Sequence, residues 1–401
     1  MMSRSSIALV NLRAVVILTV LAFHSVLPYL ASLPSAAYPF DSAPYLWLAF
    51  PIVDGQRWFG FDLFCAWQDV SLMTLMFFLS GLFVPSSLAR KGSRKFLSDR
   101  LLRIGLPLAL AVIFLAPLAY YAAYRSTALD PGLDAYLQHW LALPFWPCGP
   151  QWFLGELLAF NILAAAMHQF VPGWDQRLVR LVAFAGANPV RFLAVLVMIS
   201  ALAYFPLVLV YSPFEWVNIG PIAFQPSRPL HYLVYFFAGV AVGTYGLDRG
   251  LLDCDGVLAR RWTAWFALAF AGFLLWAAST SVTMADWSNA PLIAKFAAGM
   301  GFVVASAAGC LCLLAICLRF AHWRFSAFDS LSANAYRMYL IHYVFAVWLQ
   351  YALLGTGLFA IGKATIVFGG TLIISWAIAA AMGGALSVSR LNATIRGVRR
   401  A

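Results

Sequence analysis

NLRAVVILTVLAFHSVLPYL, residues 11–30, is the stretch on which the fold class depends. Together with the residues on either side of it, this stretch has the parts of a secretory signal. Arg4 and Arg13 are the charged part, Ala14 to Phe23 the apolar part, and the following SLPSAA a cleavage region. It is also long enough for an ordinary membrane-spanning helix. A third interpretation is a piece of an active site, because a discarded leader has no need of an arginine and a histidine in one run. The remainder of the chain separates these interpretations.

The composition of the whole chain is that of a membrane protein. Of its 401 residues, 63% are hydrophobic and only 10% are charged, whereas soluble domains have about 25% charged residues. The net charge of +11 would suggest nucleic acid as the partner of a soluble protein, but basic cytoplasmic loops explain it better here. We therefore expect a lipid bilayer around the chain and no nucleic acid as a partner.

Apolar runs of about 20 residues, the length that crosses a bilayer, recur along the chain. Ten are visible, at residues 8–30, 69–89, 101–123, 149–170, 190–211, 230–247, 262–281, 292–318, 334–354 and 362–386. The sequence therefore predicts an all-α, polytopic integral membrane protein with about ten transmembrane helices. In this prediction residues 1–390 form a single transmembrane domain and residues 391–401 a short basic cytoplasmic tail.

The basic residues predict which side each loop faces. With both termini in the cytoplasm, 21 of the 26 Lys and Arg fall on the inner side. The basic residues left outside are Arg57, Arg125, Arg228, Lys295 and Lys363. This asymmetry is typical of membrane topology and favours a multi-pass protein of a bacterial inner (plasma) membrane. Removing the first helix would break the alternation, so we expect residues 11–30 to be retained.

The six cysteines lack the spacing of metal ligands, so we expect no metal cofactor. Cys310, Cys312 and Cys317 lie within one apolar run, where cysteine packs as a small hydrophobic residue. Cys65 and Cys148 both fall near predicted outer ends of spans. Whether they form a disulfide depends on a Cα distance that the sequence does not give.

Arg13 and His24 share one face of the first predicted helix. Eleven residues at about 100° each come to roughly three turns and a rise of about 16 Å. With Arg13 at the inner interface, His24 is then near the bilayer midplane, where ionisable groups are costly and usually face a bundle interior or a cavity. The spacing alone leaves two interpretations open, a functional pair or a histidine that packs across helices beside a topology marker.

A basic cluster, ARKGSRKFLSDRLLRIGLPLAL, precedes and enters the third span. Residues 90–95 predict a basic inner loop, which either marks topology and binds anionic lipid or contributes to a site. Arg100 and Arg103 are one turn apart as the helix enters the membrane. Two guanidinium groups near a helix start suit phosphate recognition.

The stretch GPQWFLGELLAF places Glu156 seven residues into an apolar span. A carboxylate there needs a partner or must take up a proton. His24 or an arginine is the candidate partner, and a structural ion pair competes with a catalytic role. Trp152 is a candidate pocket-lining residue or an ordinary interfacial tryptophan.

Two further motifs are better explained by packing, although Ser80, Tyr339 and His342 are also candidates to line a pocket. In LSANAYRMYLIHYVF, Tyr339 and His342 are three residues apart and share a face, and Ser332 or Asn334 is a candidate helix cap. In FFLSGLF, the small residues Ser80 and Gly81 predict a close helix contact.

Taken together, these motifs resemble the membrane-bound acyltransferase 3 family. The features that carry the resemblance are Arg13 followed by ten residues and His24, FFLSGLF in the second helix, Arg100-Leu-Leu-Arg103 leading into IGLP, QWFLGELL and YRMYLIH. They span nearly the whole chain in the family order. Many members carry an acidic residue just ahead of the leucine and arginine of the first motif, where this chain has Val10 and Asn11. The form RLLRIGLP is similar to the branch that succinylates periplasmic glucans.

The resemblance implies an acyltransferase of the type that transfers groups other than aminoacyl groups. An acetyl or succinyl group would pass from cytoplasmic acyl-CoA, the acetyl-CoA or succinyl-CoA donor, to a hydroxyl of an extracytoplasmic saccharide or glycan. On this interpretation Arg13, Arg100 and Arg103 bind the phosphates of CoA. His24 acts as general base, and Glu156 orients its imidazole or stabilises the cationic form.

Two other classes of function remain. A transporter or flippase would use Arg13, His24 and Glu156 to line a substrate path, although the chain shows no repeat. A membrane scaffold would use the same polar groups for packing alone. Both alternatives predict no transfer from acyl-CoA. The sequence leaves the oligomeric state open.

Overall fold

The computed structural model of the protein describes residues 3–186, 188–220 and 222–398, which are almost wholly helical. In chain order the helices are α1 (Arg4–Val26), α2 (Phe59–Gly81), α3 (Val84–Arg100), α4 (Leu106–Leu110), α5 (Ala116–Thr127), α6 (Leu133–Ala142), α7 (Trp152–Phe170), α8 (Trp174–Gly186), α9 (Pro189–Val210), α10 (Pro229–Tyr245), α11 (Val257–Arg260), α12 (Trp262–Thr283), α13 (Leu292–Phe320), α14 (Ser326–Ala352) and α15 (Ala360–Val398). The strands of the described residues are β1 (Val217–Ile219) and β2 (Ile222–Phe224), which pair antiparallel.

Eight helical segments among the described residues are long and apolar enough to cross a membrane. A ninth is counted if α10 and the segment Gly250–Arg260, bent by 90° from it, form one span. These findings confirm an all-α, polytopic membrane protein. The remaining predicted span lies in α14, whose 27 residues extend over about 40 Å but whose first turns carry Asp329, Asn334 and Arg337. The ten-span count and the cytoplasmic termini stay predictions.

The second helix begins ten residues before the predicted span of 69–89. Asp62 and Gln68 interrupt the apolar run, so hydropathy alone misses the first turns. In the structure the carboxylate of Asp62 accepts hydrogen bonds from the backbone N–H groups of Ala31, at 2.7 Å, and Ser32, at 3.0 Å. A polar side chain in the first turn is therefore satisfied by the preceding segment.

The basic loop predicted at residues 90–95 is wrong, because these residues belong to α3. The helix is kinked at Gly92, whose φ of +69° lies in the left-handed region that favours glycine. Lys91 and Lys95 both form ion pairs with Asp99 in the following turns. The basic residues thus lie on a kinked helix in which part of their charge is neutralised.

A helical run from Val84 to Thr127 continues through α3, α4 and α5. Two π-helical segments interrupt it, Leu101–Gly105 and Ala111–Leu115. Each is followed within two residues by a proline, Pro107 or Pro117. A proline removes one N–H and clashes with the carbonyl four residues back, and a locally wider helix relieves this clash.

The chain divides into two compact units. The first unit contains Met1–Leu12, Leu63–Ile113 and Pro144–Trp323, and the second contains Arg13–Asp62, Phe114–Leu143 and Arg324–Ala401. The predicted cytoplasmic tail from residue 391 is continuous with α15 as far as Val398, and residues 399–401 lie outside the described part of the chain. The proposed boundary at residue 390 stays a prediction.

Close helix crossings organise the first unit. A Cβ atom on Gly81 would lie 2.0 Å from the carbonyl oxygen of Phe236, and one on Gly239 would lie 2.1 Å from that of Phe78. The backbones of α2 and α10 therefore touch, and the small-residue contact predicted for FFLSGLF is confirmed. Within the same unit α13 is buried on nearly all sides and packs along α12.

Aromatic side chains form the core of the second unit. Phe40 stacks on Trp47 with ring centroids 4.3 Å apart, and Trp47 meets Tyr120 edge-on at 5.1 Å. The indole N–H of Trp47 donates to the carbonyl of Phe40 at 2.9 Å, and the Tyr120 hydroxyl donates to that of Leu48 at 2.8 Å. These contacts order the segment between α1 and α2, which directly follows His24 and the end of α1.

Candidate active site

Two histidines meet in the second unit near the end of α1. Nδ1 of His24 is 3.1 Å from Nε2 of His342 in α14, and the two ring centroids are 4.9 Å apart. His24 is half-buried, whereas His342 is fully buried. His24, the base that the sequence suggests, is therefore partly accessible, and the imidazole of His342 contacts its Nδ1 edge.

Backbone carbonyls and α14 hold this pair in place. Nδ1 of His24 is 2.9 Å from the carbonyl oxygen of Val20 in the preceding turn. Nδ1 of His342 is 2.7 Å from the carbonyl oxygen of Tyr339. The side-chain amide of Gln350 donates to the backbone carbonyl of His24 at 2.6 Å. Both the ring and the backbone of His24 are thus fixed by α14.

Sequence reasoning singled out His342 but missed its contact with His24. The predicted shared face of Tyr339 and His342 is confirmed, since both are buried and their ring centroids are 5.8 Å apart. The partner lies on a helix 318 residues away in sequence, and no spacing rule indicates such a contact. The helix cap predicted at Ser332 or Asn334 is wrong, because α14 begins at Ser326.

Arg13 and His24 lie in one uninterrupted α-helix, as their spacing requires. The side chain of Arg13 is exposed. Two residues earlier, the buried amide of Asn11 donates to the carbonyls of Ala321, at 2.6 Å, and Trp323, at 2.8 Å. These carbonyls follow the last turn of α13, so Asn11 caps a helix end that a carboxylate, which only accepts, would leave unpaired.

Arg100 and Arg103 lie at the junction of α3 and the first π-helical segment. The guanidinium of Arg100 lies over the ring of Phe96, 4.8 Å from its centroid. It is close enough to Arg103 for the two positive charges to interact. Arg100 is half-buried and Arg103 is exposed. Two neighbouring guanidinium groups, one partly out of water, form a site that a polyanion would stabilise.

Glu156 lies on α7 in the first unit, near the ion pair of the buried Arg228 with the part-exposed Asp69. Arg228 donates two parallel hydrogen bonds to the carboxylate of Asp69, at 2.6 and 2.8 Å. The Glu156 carboxyl is buried and interacts electrostatically with Arg228. Neither of its oxygens has a hydrogen-bond partner among the described residues. Of the partners that the sequence suggested, an arginine is the one whose charge acts on Glu156, but Arg228 forms no hydrogen bond with its carboxyl group.

Trp152 lies one turn before Glu156 and borders the same cluster. Its ring stacks on Tyr232 at 6.4 Å and meets Trp216 edge-on at 5.6 Å. The hydroxyl of Tyr232 accepts a hydrogen bond from Arg228 at 3.3 Å. Trp152 thus connects the Glu156 region to an exposed tryptophan, Trp216.

The ion pair of Asp69 and Arg228 was not a candidate from the sequence. One signal was available, because both residues are charged and both flank apolar spans assigned to the same outer side. Opposite charges at the ends of spans on the same side of the membrane are candidates for an ion pair, since a charge within the bilayer is costly unless an opposite charge compensates it.

The remaining candidates have local roles in the structure. The Ser80 hydroxyl donates to the carbonyl of Met76 in its own helix at 2.8 Å. No S–S bond joins Cys65 and Cys148 in the structure, so the disulfide that the sequence left open is not present there. Burial raises the pKa of the Cys148 thiol to about 11, which makes its reactive thiolate scarce at neutral pH.

The fold and the histidine pair define a polytopic helical membrane protein with a part-exposed imidazole inside its first span. The family model described as an acyltransferase domain, that of the acyltransferase 3 family, matches residues 7–380. The chain therefore belongs to this family and is a membrane acyltransferase. No curated protein and no solved structure matches the chain.

Proposed function

We propose that the protein moves an acetyl or succinyl group from cytoplasmic acyl-CoA to a hydroxyl of an extracytoplasmic saccharide or glycan. The observation that carries this proposal is the position of His24, a half-buried imidazole in the first span with one ring edge held by Val20 and His342. An imidazole can take up a proton on one ring nitrogen while it donates from the other, and it is the side chain most often used for proton transfer in catalysis.

The chemical step is direct acyl transfer. The imidazole of His24 removes the proton from the acceptor hydroxyl as the oxygen attacks the thioester carbonyl carbon. A carbon–oxygen bond forms, the carbon–sulfur bond breaks, and the proton passes from the imidazolium to the departing CoA thiolate. The acyl ester, free CoA and neutral His24 result, so that no further reagent is needed.

For the donor we propose that Arg13, Arg100 and Arg103 bind the phosphates of CoA. The support for Arg100 and Arg103 is their proximity at the junction of α3 with the π-helical segment, where their two positive charges are close enough to interact and both could bind one polyanion. Arg13 contributes an exposed guanidinium in the same helix as His24.

Glu156 is the second catalytic group of the proposal. Its buried carboxyl oxygens have no hydrogen-bond partner among the described residues, so the group is free to exchange hydrogen bonds with a substrate hydroxyl, as a donor when it is protonated and as an acceptor when it is ionised. The pocket-lining role of Trp152 belongs to the same proposal, because its ring borders the cluster around Arg228 and Tyr232.

The acceptor and the location are proposed from the family resemblance. The motif order that the chain shares with the family implies a saccharide outside the cytoplasm, and the distribution of basic residues supports an inner membrane with cytoplasmic termini. The family match favours this enzymatic proposal over a transporter or a scaffold.

The proposal is tested with purified protein, labelled acetyl-CoA or succinyl-CoA and a panel of glycans. We expect label to appear on a glycan hydroxyl together with stoichiometric free CoA. Heat-inactivated protein is the control. Absence of transfer from both donors to every glycan, combined with label crossing a liposome membrane unchanged, would instead indicate a transporter.

A further inference from the structure

His342 is buried within the second unit and has a defined arrangement of hydrogen bonds around its ring. Its Nδ1 is 2.7 Å from the carbonyl oxygen of Tyr339. A carbonyl only accepts hydrogen bonds, so Nδ1 of His342 carries a proton and donates it. In the neutral ring the other nitrogen, Nε2, is then unprotonated and is an acceptor.

Nδ1 of His24 carries a proton for the same reason. Its Nδ1 is 2.9 Å from the carbonyl oxygen of Val20 and 3.1 Å from Nε2 of His342. Both of these neighbours are acceptors, so Nδ1 of His24 must carry a proton and share it between them as a three-centre hydrogen bond. If Nδ1 were bare, its lone pair would face a carbonyl oxygen. A neutral His24 therefore has its lone pair on Nε2.

We infer that His342 is a positioning residue for the acyl transfer, which acts together with the carbonyl of Val20 to keep His24 protonated on Nδ1 and to present the Nε2 lone pair to the acceptor hydroxyl. The inference rests on the proposed function of His24 as base. His342 occupies the place that a carboxylate holds in a catalytic triad, where the third residue selects the tautomer and orients the ring. It is a neutral acceptor, which is less costly than a carboxylate within a bilayer.

The arrangement also accounts for the proton during the reaction. When Nε2 of His24 takes the proton of the acceptor hydroxyl, the ring becomes an imidazolium whose Nδ1–H still points at two acceptors, the Val20 carbonyl and Nε2 of His342. Both hydrogen bonds strengthen as the ring becomes charged. The Nε2 proton then leaves with the CoA thiol, and the starting tautomer is restored without movement of His342.

The kinetic test compares His342→Leu, which removes the acceptor, with His342→Gln, whose amide keeps a polar atom at the position of Nε2. We expect kcat in His342→Leu to fall about 10²-fold or more, with the donor KM changed by less than about threefold. His342→Gln should recover at least about tenfold of that loss. His231→Leu is the matched control, because His231 is also fully buried but lies on α10 in the first unit.

A second readout does not depend on activity. Nitrogen-15 NMR of the imidazole rings distinguishes the two neutral tautomers, and comparison with a His24→Ala sample assigns the His24 signals. We expect the Nδ1–H tautomer of His24 in the unsubstituted protein and a partial shift toward the Nε2–H tautomer in His342→Leu, because the carbonyl of Val20 then remains as the one acceptor that Nδ1 has kept from this pair.

The outcomes separate this inference from the proposed function. Protein that transfers no acyl group but shows the Nδ1–H tautomer contradicts the proposed function and leaves the positioning contact intact. An Nε2–H tautomer in the unsubstituted protein overturns the inference, whatever its activity. A His342→Leu protein with the kcat of the unsubstituted protein also overturns it. An equal loss of kcat in His342→Leu and His342→Gln, with an unchanged His24 spectrum, overturns it as well.

Discussion

Asn11 shows how one side chain can be required by a helix end rather than by chemistry. Many members of the family carry an acidic residue just ahead of the leucine and arginine of the first motif, where this chain has Val10 and Asn11. The amide of Asn11 donates to the carbonyls of Ala321 and Trp323, which follow α13. The amide supplies two N–H donors, one for each carbonyl, whereas aspartate has none when ionised and a hydroxyl side chain has one. The departure from the family pattern therefore has a local structural reason in this chain.

Asn11→Asp should destabilise the protein without removing the acyl-transfer groups. The carboxylate would face two carbonyl oxygens, and an unsatisfied buried acceptor costs about 1–3 kcal/mol, or more when charged. We expect a lower Tm in detergent, measured by thermal unfolding. Asn218→Asp is the control, since Asn218 is exposed on β1. An unchanged Tm in Asn11→Asp would contradict the capping role.

Arg100 and Arg103 provide the sharpest residue-level test of donor binding. Arg100→Ala and Arg103→Ala should each raise the donor KM about tenfold or more, because a charge-assisted hydrogen bond contributes about 1.5–3 kcal/mol. Steady-state kinetics with labelled acyl-CoA measure this change. Lys91→Ala is the comparison, since Lys91 has the same charge but pairs with Asp99. Equal increases in all three variants would show that only the overall positive charge matters.

At the scale of elements, the crossing of α2 and α10 depends on glycine. Gly239→Ala would place a Cβ atom 2.1 Å from the carbonyl oxygen of Phe78, so the helices must separate or the backbone must shift. Overpacking of this kind costs about 1–3 kcal/mol. We expect a lower Tm and less folded protein extracted from membranes.

The control for this prediction is Gly369→Ala in α15, where an added Cβ would have no atom within 4 Å. That substitution should leave the Tm unchanged or raise it slightly, since alanine favours helix more than glycine. Equal effects at Gly239 and Gly369 would mean that helix propensity, and not the crossing, determines the result.

The helices themselves were largely predictable, and the departures have identifiable causes. Each span predicted from hydropathy lies on a helix, because an uninterrupted apolar run can be found in the sequence without knowing which other helices it contacts. It misplaced the start of α2, since the backbone N–H groups that satisfy Asp62 belong to a loop thirty residues earlier. It read residues 90–95 as a loop, because a glycine kink within a charged helix has no apolar signature.

At the scale of the whole molecule, the family and the first-helix motif were accessible from sequence, but the partners of the motif were not. The order of motifs along the chain predicted the acyltransferase 3 family, which the match over residues 7–380 confirms. The partner of His24 lies on α14 and that of Arg228 lies at Asp69 on α2. Such contacts depend on how distant helices pack, which periodicity within one helix does not encode.

We propose that this membrane acyltransferase uses His24 as the base that activates the acceptor. The most direct measurement is the rate of labelled acyl transfer from acyl-CoA by purified His24→Ala protein, compared with that of the unsubstituted protein. An equal Tm of the two proteins shows that the variant is folded. A general base contributes about 10²–10⁴-fold to the rate, so we predict a fall of at least about 10²-fold with the donor still bound. A His24→Ala protein that transfers acyl groups at the unsubstituted rate would contradict the claim.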